Sequence, residues 1–118
     1  MPREVGGIGR WGEDRAVEFL QRQQFLIIER NYNSAVGEID IIARKNDDFY
    51  FVEVKTRSAG PFANNLAVTA VKLRKLRKTV ARYCLARRIT DCGVILAGLL
   101  VIYDRRQKKV NFNFSVLY

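Results

Sequence analysis

The sequence contains no histidine. Hydrolases that rely on an imidazole base are therefore excluded, and so are nucleases with a histidine general base. Zinc sites with imidazole ligands are excluded too, and two cysteines are too few for a four-cysteine zinc site. Cys84 and Cys92 are accordingly expected to be reduced, inside a protein of the cytoplasm.

Long apolar runs are also missing. The longest, "VILAGLLVIY" at 94–103, is about half as long as a membrane span requires and predicts a buried strand. The N-terminal stretch "MPREVGGIGRWGED" has no apolar run, so we expect no signal peptide. These features favour a cytoplasmic location without membrane insertion.

Acidic residues are the minority: 12 stand against 21 lysines and arginines, for a net charge of +9. A length of 118 residues favours a single domain over 1–118, of which residues 1–10 are expected to be flexible. A domain this basic is expected to bind a polyanion, first of all nucleic acid and secondly an anionic membrane surface. The alternative is a basic surface that is merely solvated.

Helical and strand patterns alternate along the chain. The predicted elements are a helix over 11–24, strands over 25–32, 38–45 and 49–57, a loop over 58–65, a helix from about 66 to 88, and strands over 94–104 and 109–117. The order αβββαββ predicts an α/β sandwich, with helices flanking a mixed sheet. The segment 49–104 predicts one parallel crossover.

Both helices place charges in specific positions. Glu13 shares the apolar face of the first helix, either as a site residue or as a first-turn acid that favours the helix dipole. In the second helix an apolar stripe is predicted at Leu66, Ala70, Leu73, Arg77, Val80 and Cys84, interrupted by the arginine. Lys72, Lys75, Lys78 and Arg82 fall on the opposite side, where a solvated face is the alternative to nucleic-acid binding.

The stretch "GEIDIIARKNDDFYFVEVKTR", residues 37–57, predicts a hairpin with acidic residues in its most apolar part. If Asn46 and Asp47 form a two-residue turn, Asp40 lies opposite Glu53. The twofold period of a strand then puts Lys55 on the face of Glu53. Glu38 shares the face of Asp40 and is an accessory candidate.

Two facing carboxylates repel each other, and a divalent cation offsets this repulsion better than a lysine does. Mg²⁺, or Mn²⁺, is usually held by one or two carboxylates together with water and phosphate oxygens. Asp40 and Glu53 are therefore candidate metal ligands, and Lys55 is placed to orient or deprotonate an attacking water. The alternative is an exposed ion pair of Glu53 with Lys55 or Arg57.

The same motifs resemble a known family. "GEIDIIA" followed by "FVEVKTR" resembles the YraN family of uncharacterised bacterial proteins and the wider PD-(D/E)xK superfamily of restriction endonuclease-like and Holliday-junction-resolvase-like nucleases. The YraN resemblance covers most of the chain. It implies a restriction-endonuclease-like fold, with Asp40, Glu53 and Lys55 at catalytic positions and Glu13 as the helical acid of resolvase-like members. Ile39 stands where the superfamily signature has proline.

The hypothesis is a Mg²⁺-dependent nuclease acting on nucleic acid, with DNA favoured over RNA; branched DNA is one candidate substrate, and the sequence leaves the choice between DNA and RNA open. The candidates for phosphate binding are Arg57, Lys72, Arg74, Lys75, Lys78 and Arg82. Trp11, Phe62 and Tyr83 are the aromatic residues considered for stacking on bases. The alternatives are a nucleic-acid-binding module with an inactive site, and a protein whose basic helix binds an acidic partner. A homodimer is expected, with the last strand as its candidate edge.

Overall fold

The computed structural model describes residues 7–61, 63 and 68–118. Its elements are α1 (Gly7–Arg22), β1 (Leu26–Asn33), β2 (Glu38–Lys45), β3 (Asp48–Ser58), α2 (Ala70–Ala86), β4 (Gly93–Asp104) and β5 (Lys109–Val116). The predicted order αβββαββ is confirmed, and the apolar run at 94–103 is confirmed as a largely buried strand.

The five strands form one mixed sheet in the order β1-β2-β3-β4-β5. All neighbours are antiparallel except β3 and β4, which are parallel and joined through α2. The predicted parallel crossover is therefore confirmed. Because β3 is the central strand, its side chains meet both layers that cover the sheet.

Two apolar cores lie on the two faces of the sheet. Ala16 and Leu20 of α1 pack with a cluster that includes Val52, whereas Leu76 and Tyr83 of α2 pack with one that includes Phe51. Alternate residues of a strand point to opposite faces, so α1 and α2 cover opposite sides of β3. Residues 53 and 55 share the face of Phe51, which is the face that α2 covers.

The start of α1 differs from the prediction. The helix begins at Gly7, so residues 7–10, which were expected to be flexible, form its first turn; residues 1–6 lie outside the described part. Glu13 is consequently the seventh residue of the helix and not part of its first turn. Its interpretation as a first-turn acid that favours the helix dipole is wrong, because that effect fades beyond the first turn.

The predicted face of α2 is also partly wrong. The residues it buries are Leu76, Thr79, Val80 and Tyr83, whereas Ala70 and Arg77 of the predicted stripe are exposed; Leu66 is not among the described residues. Thr79 tolerates burial because its hydroxyl donates to the carbonyl of Lys75 at 2.9 Å. The buried face of α2 can therefore include a threonine, which a prediction based on apolar residues alone does not anticipate.

Of the aromatic residues considered for base stacking, Tyr83 is excluded because only 1% of it is exposed. Trp11 packs edge-on against Tyr103, with 6.0 Å between ring centroids, and Phe62 falls outside the described residues. Cys84 and Cys92 are free thiols, as expected. Neither of the described helices is long and apolar enough to cross a membrane.

The hairpin of β2 and β3 has the predicted register. Asn46 and Asp47 adopt φ values of 54° and 72°, as a tight two-residue turn requires. The pairs run from Lys45 opposite Asp48 to Ile41 opposite Val52. The ladder ends one residue before Asp40 and Glu53, so the turn places the two carboxylates just beyond its last pair.

Gly12 allows α1 to approach β3 closely. A Cβ atom built at Gly12 would overlap the hydroxyl of Thr56 and lie 3.0 Å from its Cβ. At Gly9, one turn earlier in the same helix, a Cβ would have nothing within 4 Å. The close approach brings Glu13, the next residue, beside the central strand.

We therefore expect Gly12→Ala to destabilise the protein by about 1–3 kcal/mol, as overpacking usually does. Gly9→Ala is the matched control, and it should be neutral or stabilising by up to about 1 kcal/mol because alanine favours a helix. Urea denaturation of both variants measures the difference. Equal stabilities would mean that α1 does not contact β3 as closely as described.

Candidate active site

The site lies where the hairpin ladder ends. Beyond the pair of Ile41 and Val52, the backbone N–H of Val54 donates to Oδ2 of Asp40 at 2.7 Å. A carboxylate thus takes the place that a backbone carbonyl would have in a continuing ladder. This bond satisfies the Val54 donor and anchors the aspartate near the start of β2.

Two neighbouring cavities open at this point. The first, which we call the acidic cleft, has a volume of about 750 Å³. It is lined by polar and charged side chains from α1, β1, β2 and β3, among them Glu13, Asp14, Arg30, Asn31, Glu38, Asp40 and Lys55. In a chain of net charge +9, this concentration of carboxylates is a local exception that requires compensating charge.

The second, which we call the α2 cavity, has a volume of about 380 Å³ and lies between the sheet and α2. Glu53 of β3 and Lys72 and Lys75 of α2 line it. Asp40 and Lys55 line both cavities. The end of β2 and β3 is therefore open to the side of each helix.

Glu13 is held from β1. Its Oε1 accepts hydrogen bonds from Nδ2 of Asn31 at 3.0 Å and from the Arg30 guanidinium, at 3.1 Å from Nη2. Arg30 also donates to Asp14 at 2.6 Å. Asn31 has a φ of 53°, a left-handed conformation that asparagine tolerates better than other side chains.

Arg30 and Asn31 were missed by sequence reasoning. The available signal was Asn31 itself, since asparagine is disfavoured inside strands and its presence in "IERNYN" marks a special backbone position. Their contacts span 17 and 18 residues, so no local pattern reports them.

Glu53 is paired with two lysines. Its Oε2 lies 3.4 Å from Nζ of Lys55 and in closer contact with Nζ of Lys72. Only 12% of the Glu53 side chain is exposed, so both pairs are shielded from water more than surface pairs are. The contact with Lys72 was not predicted, because Lys72 was placed on the side of α2 away from the core.

These surroundings shift the pKa values of Asp40, Lys55 and Lys72. Burial raises the pKa of Asp40 from 3.8 to about 6; the Val54 hydrogen bond opposes the shift, and the charges of Glu53, Glu13 and Glu38 add to it. The contact with Lys72, together with burial, lowers the pKa of Lys55. Burial tends to lower the pKa of Lys72 as well, but its contact with Glu53 outweighs this and raises it.

The structure thus brings together most of the predicted site and divides the predicted basic set. Glu13, Glu38, Asp40 and Lys55 line the acidic cleft, and Glu53 lies in the adjoining α2 cavity. Arg57 is half-buried beside the site, and Arg82 is exposed. Arg74 and Lys78 line a separate groove with Tyr118, so the basic residues of α2 do not form a single face.

The site offers a metal two carboxylates. Among residues 7–61, 63 and 68–118, no three acidic or thiol groups form a cluster that could hold a metal ion. Glu13 in particular does not join Asp40 and Glu53 in such a set. Mg²⁺ commonly binds through one or two carboxylates, with water and phosphate completing its shell, so a magnesium ion held here would need water and phosphate beside Asp40 and Glu53.

The raised pKa of Asp40 predicts a pH-dependent effect of Asp40→Asn in the presence of a chelator. Below about pH 4 both folded and unfolded chains keep the proton; between 3.8 and about 6 only the folded protein keeps it, so the stability contributed by Asp40 falls as pH rises. The asparagine side chain of the variant would not titrate and can still accept the Val54 bond. Above pH 6 the variant should be more stable than wild type by about 1–3 kcal/mol.

The measurement is urea denaturation from pH 4 to pH 8. Asp47→Asn is the control, because the Asp47 side chain in the hairpin turn is 98% exposed and the substitution is chemically the same. A gain in stability that stayed constant across this range, or that matched the gain of the control, would contradict the desolvation of Asp40.

The chain is similar to proteins of one family. A model described as "Uncharacterised protein family UPF0102" matches residues 12–109. This range includes all residues of the α2 cavity and all of the acidic cleft except Ile8, Gly9 and Arg10. A UPF0102 protein of Alkaliphilus oremlandii is 45% identical over 114 residues, covering 96% of this chain and 95% of that protein. One of Dictyoglomus turgidum is 47% identical over 108 residues, covering 91% and 92%.

A more divergent relative also matches over nearly the whole chain. The UPF0102 protein of Clostridium perfringens is 32% identical over 115 residues, covering 97% of this chain and 94% of that protein. The similarity therefore extends over the whole arrangement of helices and strands and is not confined to the hairpin motifs.

Proposed function

We propose that this chain, which belongs to the uncharacterised protein family UPF0102, is a metal-dependent nuclease. UPF0102 is the YraN family that its motifs resemble. The proposed reaction is the hydrolysis of phosphodiester bonds in DNA. Branched DNA is included among its proposed substrates. The observation that carries the proposal is the meeting of Asp40, Glu53 and Lys55 at the open end of β2 and β3.

The electrostatics of the site support a bound divalent cation. Asp40 is desolvated and lies in the field of Glu13, Glu38 and Glu53, which makes its ionised form costly near neutral pH. A cation at Asp40 and Glu53 would remove that cost. When bound, Mg²⁺ would lower the pKa of a water molecule and stabilise negative charge on a phosphate.

The residues of the chain then have distinct roles. Asp40 and Glu53 would hold the cation, while Lys55, on the same strand as Glu53, would orient the attacking water and exchange a proton at its Nζ. A lysine suits this exchange because burial and nearby cations favour its neutral form. Glu13, held by Arg30 and Asn31, fixes the negative potential on the α1 side of the cleft.

The proposal includes membership of the PD-(D/E)xK superfamily and its restriction-endonuclease-like sandwich. Support comes from the order αβββαββ, from the parallel pairing of β3 with β4, and from helices on both faces of the central strand. Support also comes from the acidic residue of α1, Glu13, which lines the same cleft as Asp40 and Lys55.

A second candidate function is a nucleic-acid-binding module with an inactive site. The observation that favours it is the pairing of Glu53 with Lys55 and Lys72, which already balances the charge of that carboxylate. In that case the basic residues would bind phosphates, and the acidic cleft would be a structural remnant.

We predict that catalysis and binding separate in the variants. Asp40→Asn and Glu53→Gln should abolish cleavage while leaving DNA affinity equal or higher, because a negative charge near the phosphates is lost. Lys55→Ala should lower the maximal rate by about 10²–10⁴-fold, as expected for a positioned proton-transfer group. Glu13→Gln should lower the rate while the fold survives, since glutamine keeps an acceptor for Asn31.

The assay uses linear, flapped and four-way DNA with Mg²⁺ or Mn²⁺, beside a binding assay on each variant. Asp47→Asn, an exposed change in the same hairpin, should cleave like wild type. Full cleavage by Asp40→Asn would indicate a site elsewhere. A wild type that binds DNA but neither binds a metal nor cleaves any substrate would favour the binding module.

Binding is predicted to depend on phosphates. Each neutralised phosphate contributes about 0.9 to the slope of log affinity against log salt. Lys78→Ala on α2 should lower that slope by about 1 and weaken binding, with the maximal rate nearly unchanged. Fluorescence anisotropy over a salt series measures the slope, with Lys109→Ala on β5 as the control. A slope near zero would contradict nucleic-acid binding and favour an acidic protein partner.

A further inference from the structure

A lysine of α2 contacts the same carboxylate that the proposed function assigns to the metal. Nζ of Lys72 contacts Oε2 of Glu53, the oxygen that also faces Lys55 at 3.4 Å. The pair joins α2 to β3 across the α2 cavity. Glu53 is shielded, whereas 41% of the Lys72 side chain is exposed, so the lysine reaches inward from the solvent side.

The position of Lys72 is set by the helix cap. Thr69 is the N-cap of α2, and its Oγ1 accepts a hydrogen bond from the backbone N–H of Lys72 at 3.1 Å. Lys72 is therefore the third residue of the helix, where the positive end of the helix dipole disfavours a cation. Local helix stability thus does not explain a lysine at this position, but its contact with Glu53 does.

We propose that Lys72 is a built-in counter-cation of Glu53, which a divalent metal displaces and which then binds a phosphate of the nucleic acid. This inference rests on the proposed function, because it requires Glu53 to be a metal ligand. It adds a specific consequence: metal and nucleic acid should each strengthen the binding of the other.

Two observations indicate that the metal displaces Lys72 and not Lys55: the charges at Glu53 and the place where each lysine is attached. Glu53 cannot keep two ammonium groups at the same oxygen while it binds a doubly charged cation, because the like charges repel. Lys55 is attached to the central strand two residues away and lines both cavities. Lys72 belongs to another element, has a flexible four-carbon stem and is already partly in solvent, so Lys72 is the one that leaves.

The α2 cavity also provides a destination. Lys75 lies on the same wall, about one turn further along α2. A phosphate that enters this cavity would meet two ammonium groups once Lys72 has left Glu53. Since coupling between two ligands is reciprocal, the factor by which DNA tightens metal binding must equal the factor by which metal tightens DNA binding.

The test measures Mn²⁺ binding by calorimetry and by electron paramagnetic resonance, with and without a short duplex made of phosphorothioate linkages to slow cleavage. Without DNA, Lys72→Gln should bind Mn²⁺ about fivefold or more tightly than wild type, the size of a typical coupling. Lys72→Arg keeps the charge and should stay within about twofold of wild type. DNA should tighten Mn²⁺ binding to wild type, and this gain should shrink in Lys72→Gln.

Lys75→Gln is the matched control. In the absence of DNA it removes the same charge from the same cavity and therefore measures the general electrostatic effect on Mn²⁺ binding, which we expect to be about twofold or less. Thermal melts confirm that each variant is folded before its binding is compared.

The outcomes separate the two proposals. Equal gains for Lys72→Gln and Lys75→Gln, or no gain for Lys72→Gln in a protein whose wild type binds Mn²⁺, would overturn the role of Lys72 and leave the metal site standing. The absence of Mn²⁺ binding in the wild type and in every variant would overturn both the role of Lys72 and the metal-dependent function.

Discussion

The arrangement of the site depends on the hydrogen bond from the Val54 backbone to Asp40. At the end of the β2–β3 ladder this bond replaces a backbone pairing with a carboxylate, so the two strands can part without leaving a buried donor unsatisfied. The same bond fixes a charged group in a poorly solvated position. The neighbouring carboxylates Glu13, Glu38 and Glu53 add to the cost of that charge.

Compensation comes from cations on three different elements. Arg30 of β1 pairs with both Glu13 and Asp14, Lys55 of β3 lies beside Glu53, and Lys72 of α2 contacts Glu53 from the opposite wall. Ion pairs of this kind contribute little to stability when exposed, but they set the potential in a shielded cavity. A strongly basic chain can therefore keep an acidic cleft without unfolding it.

The central position of β3 makes the site accessible from both faces of the sheet. Thr56 contacts α1 at Gly12, while Glu53, three residues earlier, faces α2. Because alternate residues of β3 point to opposite faces, the face of Thr56 lies near the helical acid Glu13, and the face of Glu53 lies near the lysines of α2.

The sequence by itself determined the element order, the hairpin register and the position of Lys55 beside Glu53, because these follow from turn chemistry and from the short periods of strands and helices. Only the tertiary structure decided which side of α2 faces the sheet, that Lys72 reaches Glu53, and that Arg30 and Asn31 hold Glu13. A period defines a face but not what lies opposite it. The rotation of a helix is decided by the sum of its packing contacts, and a long lysine at the edge of that face can turn either to solvent or to a carboxylate that is distant in the sequence.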